Sequence, residues 1–227
     1  MLILSLDTTT RGGSVAVCDE DRVLALLRGD ESRTHGERLP GELARALADA
    51  GITKHQIDLL AVATGPGAFT GLRIGLAAMQ GLAMTLQKPV AGVSALDALV
   101  EQVAGEADVI VPWMDAQRGE VFAAVVDGAC RRTIEPATAG RPEALLAAWQ
   151  LHLDRRAIFT GDAVVRDAAM LTRAGWRARL PDPLAPHIAW LARRMALRDE
   201  AGPPHALTPI YVRKPDAEIE RERRVRS

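Results

Sequence analysis

The sequence predicts an α/β protein, and three observations support this. Short apolar runs that end in turn residues alternate with longer segments of helical periodicity. Two predicted β-hairpins, one at the N-terminus and one near residue 108, each open such an alternation. With 227 residues, 48% of them hydrophobic, the chain is long enough for one large domain or two small lobes.

Composition excludes several classes of protein. The 28 basic and 29 acidic side chains nearly cancel, so nucleic acid is not an obvious direct ligand of the chain. The two cysteines, Cys18 and Cys130, are too few and too far apart for a disulfide framework, which fits a reducing compartment. No basic leader and no apolar stretch of bilayer length is present, so we expect a cytoplasmic protein without a membrane anchor.

The first half reads as a meander followed by alternating strands and helices. Three apolar runs, 2–7, 14–19 and 23–27, predict antiparallel strands. A helix over 36–50 places Leu39, Leu43 and Leu47 on one face and ends at Gly51. A buried strand (59–63), a long helix (70–86), a strand near Val90 and a helix (94–103) follow, and this order predicts parallel strands.

The second half begins with a segment similar to the first. LSLDTTTRGGSVAV and PWMDAQRGEVFAAV share a strand ending in an acid (Asp7, Asp115) and a turn with Arg and Gly. Such a repeat is expected of a duplicated actin-like or sugar-kinase-like fold, with lobes at 1–106 and 107–212. Any two hairpins look alike over this length, so the repeat alone leaves both interpretations open. Further elements are predicted as helices (142–150, 163–172, 188–198), strands (157–160, 207–212) and a charged, flexible tail (213–227).

The segment TGPGAFTGLRIG (64–75) lies between a strand and a helix. Gly65 and Gly67 free the backbone, and Thr70 is a candidate helix cap. A turn that enters a helix in this way presents N–H donors to an anion. Close packing of the helix explains the glycines at least as well, and the Lys-Ser/Thr ending of a P-loop is absent.

Asp7, Thr8 and Thr9 stand where a nucleotide-binding hairpin would hold magnesium and phosphates. A polar turn capped by its own side chains is the simpler alternative. Glu120, in the matching turn of the second hairpin, would repel phosphate. We therefore predict a degenerate nucleotide site at most, formed by Asp7, Thr8, Thr9, Gly65, Gly67 and Thr70.

Catalytic groups are not evident. The five histidines never lie three or four residues apart, so no helical pair could bind zinc, and no G-x-S-x-G motif is present. We assign neither catalytic residues nor a metal site. The helix over 70–86 is apolar nearly all round, with Arg73 its only charge. It is therefore buried on two sides, either inside the fold or against another subunit.

The motifs together resemble the TsaB family, formerly called YeaZ. LSLDTTT, HGERLP (35–40), TGPGAFTGLRIG, GVSALDAL (92–99), MDAQRGEVF (114–122), GDA (161–163) and PIYVRKPDAE (209–218) match it in order along the whole chain, with Ala68 where the family has Ser. The resemblance implies a two-lobed actin-like ATPase fold. It also implies a role in making threonylcarbamoyladenosine beside the anticodon of tRNAs that read codons beginning with A.

The resemblance further implies a partner role. The family's paralogue TsaD transfers the threonylcarbamoyl group, a TsaE-like ATPase joins the assembly, and tRNA would be contacted indirectly. TsaD carries an H-x-x-x-H metal motif where this chain has Ser94 to Ala98. ATP and metal are therefore expected in the partner subunits, and this chain is expected to require no cofactor.

We predict that the chain binds a TsaD-like subunit through the helices over 36–50 and 70–86, and that it could homodimerise when that partner is absent. The predicted contact residues are Leu39, Leu43, Leu47, Leu72, Arg73, Leu76, Met79, Leu82 and Leu86. Met79 and Leu82 are the candidates for the outward side of the second helix. A free-standing ATPase or phosphotransferase of the same fold is the alternative, kept open by Asp7 and the glycine-rich turn.

Overall fold

The computed structural model describes residues 1–153 and 156–213. The first half contains β1 (Leu2–Asp7), β2 (Ser14–Asp19), β3 (Arg22–Arg28), α1 (His35–Asp49), β4 (Leu59–Gly65), α2 (Phe69–Leu86), β5 (Val90–Ser94) and α3 (Ala95–Gln102). The second contains β6 (Val109–Asp115), β7 (Val121–Asp127), β8 (Thr133–Gly140), α4 (Pro142–Trp149), β9 (Ile158–Thr160), α5 (Val164–Arg173), β10 (Arg177–Arg179) and α6 (Leu184–Ala196).

The two halves have the same topology. The first sheet has the order β3-β2-β1-β4-β5, and the second has the order β8-β7-β6-β9-β10. In each sheet the first three strands are antiparallel and the last two run parallel to the first. The helices follow the strands in the same order in both halves. The repeat seen in the sequence therefore reflects a duplicated lobe.

Apolar side chains form three clusters around these sheets. One cluster lies between the first sheet and helices α1 and α2, and another between the second sheet and α4 and α5. The third joins both sheets through α3 and α6 and includes Leu99 and Ile188. Helix α6, although late in the sequence, packs against β1 and β2 of the first sheet. The predicted lobe boundaries at 106/107 and 212/213 stay predictions.

Local signals explain the ends of the two helices of interest. The backbone N–H of Thr34 donates to Glu37 Oε2 over 2.8 Å, and Gly51, with a φ of 68°, follows α1. Helix α2 begins after Ala68. Thr70 is exposed within its first turn and is not the cap, so that prediction was wrong.

Other predictions also need correction. Residues 207–212 form no strand, because Pro209 has no N–H and the bond from Ile210 N to Thr64 O (2.7 Å) does not extend into a ladder. Helix α6 begins one turn before the predicted position 188. Strands β8 and β10 were not predicted. The tail predicted over 213–227 lies outside the described residues except for Arg213. Within the described part of the chain, no helix has the length and apolar character needed to cross a membrane.

Candidate functional site

The turn after β1 holds Asp7 in a closed network of hydrogen bonds. The side chain is only 2% exposed. Oδ1 accepts from the backbone N–H of Thr9 (2.8 Å) and from its hydroxyl (2.5 Å), while Oδ2 accepts from the hydroxyl of Thr10 (3.2 Å). Burial raises the pKa of Asp7, and the hydrogen bonds from Thr9 act in the opposite direction. The carboxylate therefore caps its own turn.

The glycine-rich turn before α2 packs directly onto this threonine turn. A Cβ on Gly67 would lie 2.6 Å from Thr9 Cβ, and one on Gly71 or Gly75 would overlap Thr8. The N–H of Ala68 donates to Thr9 O over 3.2 Å. The glycines are therefore needed for close packing of two backbone segments, and the packing interpretation is favoured over anion binding.

A cleft of about 380 Å³ opens beside the turn of the first hairpin. Residues 10–13 form one wall, Asp162 and Asp182 lie on the other side, and Leu99, Met114 and Leu184 provide apolar lining. Of the predicted nucleotide residues, Asp7 lines this cleft. Thr8, Thr9, Gly65, Gly67 and Thr70 are not among its lining residues within the part of the chain that the structure describes.

The acidic side chains of the second hairpin turn form hydrogen bonds and ion pairs within the chain. Asp115 accepts from the N–H of Gln117 (3.2 Å) and forms an ion pair with Arg166 (2.9 Å). Glu120 forms an ion pair with Arg213 over 2.8 Å, and its backbone N–H donates to Gln117 O over 3.0 Å. The carboxylates of this turn are therefore paired within the chain, and no residue from 115 to 120 is among those that line the cleft.

These contacts do not fit a nucleotide with its metal ion. Phosphate binding by hairpin turns needs backbone N–H groups that face the ligand, but those of Thr9, Gly13 and Gln117 donate to side chains of the same turns. Four carboxylates line the cleft (Asp7, Glu31, Asp162 and Asp182) against two guanidinium groups (Arg11 and Arg28), so the charge of its lining disfavours phosphate. Among the described residues, no group of three or more His, Cys, Asp or Glu side chains could hold a metal ion.

The predicted contact residues on α1 and α2 separate into three sets. Leu39, Leu72, Leu76 and Met79 are buried in this chain's own core and offer no surface to a partner, so their selection was wrong. Leu43, Leu47, Leu82 and Leu86 are half-buried. Arg73 is exposed, with its guanidinium 3.9 Å from the centre of the Phe69 ring. The physical reason is that Leu72, Leu76 and Met79 lie on the side of α2 that packs into the core, whereas Arg73 and Met84 lie on the opposite side.

The outward side of α2 includes Thr70, Arg73, Ala77, Gly81 and Met84, and Met84 is 69% exposed. On the neighbouring helix α1, Pro40, Gly41 and Ala44 are exposed, and so are the charged residues Glu37, Arg45 and Asp49. We call the five residues of α2 together with Pro40, Gly41 and Ala44 the outer face. A Cβ on Gly41 or Gly81 would meet nothing within 4 Å, so the fold itself does not require glycine at either position.

Helix α5 occupies the place of α2 in the second half and has a different outer side. Its exposed residues include Arg166, which bonds to both Asp115 and the half-buried Asp167. A charged outer side is what a solvent-exposed helix normally shows. The outer side of α2 carries one charge, Arg73, whereas that of α5 carries Arg166 and Arg173 among exposed apolar residues such as Val165.

Sequence reasoning missed the role of two residues in the first turn of α1. The sequence assigned no functional role to His35 or Arg38, yet both form hydrogen bonds to backbone carbonyls of the turn that lines the cleft. Their spacing of three residues puts them on one face of a helix, which is the only local signal. His35 lies against Gly13 and Gly71 and Arg38 lies against Gly29, so their burial depends on glycines that are distant in the sequence.

By fold, the chain is a duplicated protein of the actin-like ATPase class. The activator of 2-hydroxyisocaproyl-CoA dehydratase from Clostridium difficile, solved with bound ADPNP, has this fold. It is 12% identical, with a TM-score of 0.55 and coverage of 93% of this chain and 100% of that chain. At that identity the likeness shows the fold alone.

The family described as TsaD: tRNA N6-adenosine threonylcarbamoyltransferase matches residues 30–174. The tRNA threonylcarbamoyladenosine biosynthesis protein TsaB of Bacillus subtilis is 27% identical over 230 residues, which cover 96% of each chain. YeaZ from Pseudomonas aeruginosa is 26% identical, with a TM-score of 0.75 over 92% of this chain and 99% of that chain. The chain belongs to the TsaD family, in the branch whose members are named TsaB or YeaZ.

Proposed function

We propose that this chain acts in tRNA threonylcarbamoyladenosine biosynthesis as a partner subunit without catalytic groups of its own. Membership in the TsaB branch supports the pathway. The outer face of α1 and α2 is the proposed binding surface for a TsaD-like catalytic subunit. A cytoplasmic location follows from a tRNA substrate.

The outer face of α2 is the observation that carries the proposal. From Thr70 to Met84 its outward residues include one charge, Arg73, and its matching helix α5 has a charged outer side. Gly81 and Gly41 each cost the helix roughly 1 kcal/mol relative to alanine without an internal contact in return. Small residues at such positions allow another helix to approach closely, which explains why they are present.

The absence of catalytic groups is supported by two regions. In the turn that lines the cleft, the amides of Thr9 and Gly13 donate to side chains of that turn, and acidic groups outnumber basic ones in the cleft lining. The segment from Ser94 to Ala98, where the catalytic paralogue has its metal motif, forms the start of α3, and Ala95, Leu96 and Ala98 lie in the core. We therefore propose that the chain requires no ATP and no metal, and that a TsaD-like subunit and a TsaE-like ATPase supply both. The tRNA would be contacted mainly through those subunits.

Binding can be tested with the purified chain and the TsaD-like subunit of the same organism. Size-exclusion chromatography with light scattering should show a complex of one copy of each. A homodimer of this chain, if it forms alone, should give way to that complex, because both would use the outer face. Two unassociated proteins at micromolar concentration would contradict the proposal.

A further inference from the structure

His35 lies at the meeting point of three elements. It begins α1, and its Nε2 is 3.1 Å from Thr10 O in the turn that lines the cleft. A Cβ on Gly13 would lie 3.0 Å from the ring, and one on Gly71 of α2 would lie 3.2 Å from it. The ring is therefore enclosed by the cleft turn on one side and by α2 on the other.

Arg38 holds the same turn from one helical turn further along α1. The side chain is buried, at 5% exposure of the residue. Its Nη2 donates to the carbonyls of Gly12 and Arg11, the latter over 3.3 Å, and its Nη1 donates to Glu42 over 2.6 Å. A side chain at Gly29 would occupy the space of the guanidinium. One buried cation thus fixes the backbone of the cleft wall to α1.

The two side chains also bond to each other, with Arg38 Nη2 located 2.8 Å from His35 Nδ1. The guanidinium can only donate and the carbonyl of Thr10 can only accept. His35 is therefore the neutral ring that carries its proton on Nε2. The buried Nε of Arg38 has no hydrogen-bond partner among the described residues.

We propose that His35 and Arg38 couple the outer face of α1 and α2 to the wall of the cleft, so that a protein bound on that face orders the turn over residues 10–13. The inference rests on the proposed function, since it needs a partner on that face. A partner that holds α1 against α2 would hold His35 between Gly71 and Gly13. The residues act by positioning the turn, and neither is a catalytic group.

Hydrogen exchange tests the coupling in the full chain, alone and in complex with the TsaD-like subunit. In the unchanged protein, the amides of residues 9–13 should exchange about fivefold more slowly in the complex than in the chain alone. His35→Ala should still bind the partner but lose this slowing. His35→Gln should restore it, because a side-chain amide keeps one donor and one acceptor. His55→Ala, an exposed histidine outside the network, is the matched control and should behave as the unchanged protein.

A second variant covers the case in which His35→Ala does not fold, as judged by circular dichroism. Arg38→Lys keeps the charge, but its single ammonium has three N–H donors and cannot reach all four partners of the guanidinium, which include Glu42 as well as the two carbonyls and the ring. It should therefore also lose the slowing. Binding of the unchanged protein without a change at residues 9–13 would overturn the coupling alone, and so would full slowing in both folded variants. Failure of the unchanged protein to bind would overturn the proposed function and the coupling with it.

Discussion

The hydroxyl of Thr8 lies against the backbone of Gly75, in the second turn of α2, with no room for a Cβ between them. This contact joins the first hairpin turn to the helix that carries the outer face. Close packing alone therefore explains Gly75, the last glycine of the TGPGAFTGLRIG segment. Gly81, on the same helix, faces open space, so the two glycines exist for different reasons.

Alanine at these two positions should have opposite effects on stability. Gly75→Ala should lower the free energy of unfolding by about 1–3 kcal/mol through overpacking against Thr8. Gly81→Ala should raise it by about 0.5–1 kcal/mol, because helix propensity improves and nothing is displaced. Urea unfolding of both variants gives the comparison. Equal effects of the same sign would show that the packing of α2 has been misassigned.

A charge on the outer face should break the proposed partnership without unfolding the chain. Met84→Glu places a carboxylate at a 69% exposed position, so the isolated chain should keep its stability. In the complex the buried carboxylate should weaken binding about a hundredfold or more. Isothermal titration with the TsaD-like subunit measures this.

Met79→Glu is the matched control on the same helix, because Met79 is 0% exposed. It should unfold the chain, which circular dichroism would report. Normal binding by Met84→Glu would place the interface elsewhere.

Replacement of Asp7 separates a structural cap from a metal ligand. Asp7→Ala leaves the donors of Thr9 and Thr10 unpaired and should cost about 1–3 kcal/mol of stability. Asp7→Asn keeps an acceptor for Thr9 and should cost less, and assembled complexes of both folded variants should retain activity. Loss of activity in a stable Asp7→Asn complex would show that the carboxylate serves the chemistry.

Stability should fall with pH below about 6.5, in part through His35. Burial, together with Arg38, lowers the pKa of His35 from its usual value of 6.5, against opposite effects of the Thr10 carbonyl, Asp7 and Glu42. Below pH 6.5 the unfolded chain takes up a proton that the folded chain does not, so the free energy of unfolding decreases until the folded pKa is reached. Burial lowers the pKa of His187 in the same direction. His35→Gln should therefore reduce the slope without removing it, as thermal unfolding across this pH range would show. An unchanged slope would mean that the pKa of His35 is the same in the folded and unfolded states.

The elements with strong periodicity were predicted well, and the reason is local. The predicted bounds of α1 and α2 differ from the observed ones by one residue at most, because Glu37, Gly51 and the apolar spacing are near each other in sequence. Strand β8 was missed because it contains Pro136 and lacks alternation, which an edge strand tolerates. Strand β10 has three residues and leaves no pattern.

The site was harder to predict because its contacts are not local. The sequence could identify Asp7 and the glycine-rich turn, but not that Thr8 and Thr9 would fill the space beside Gly67 and Gly75. It predicted that α2 is covered on two sides; this chain covers one side, and cover of the other by a partner stays a prediction. Which side faces outward depends on where β4 lies. The sequence did not indicate that His35 is enclosed, because the glycines that enclose it, Gly13 and Gly71, are distant from it along the chain.

The most direct test of a non-catalytic partner role is a tRNA modification assay with threonylcarbamoyl-adenylate as donor. The purified chain, the TsaD-like subunit and their mixture, each with and without the TsaE-like ATPase, would be compared for threonylcarbamoyladenosine formed in tRNA. We predict no product from this chain alone and a large increase when it is added to the other subunits. Modified tRNA formed by this chain in the absence of a TsaD-like subunit would contradict the account.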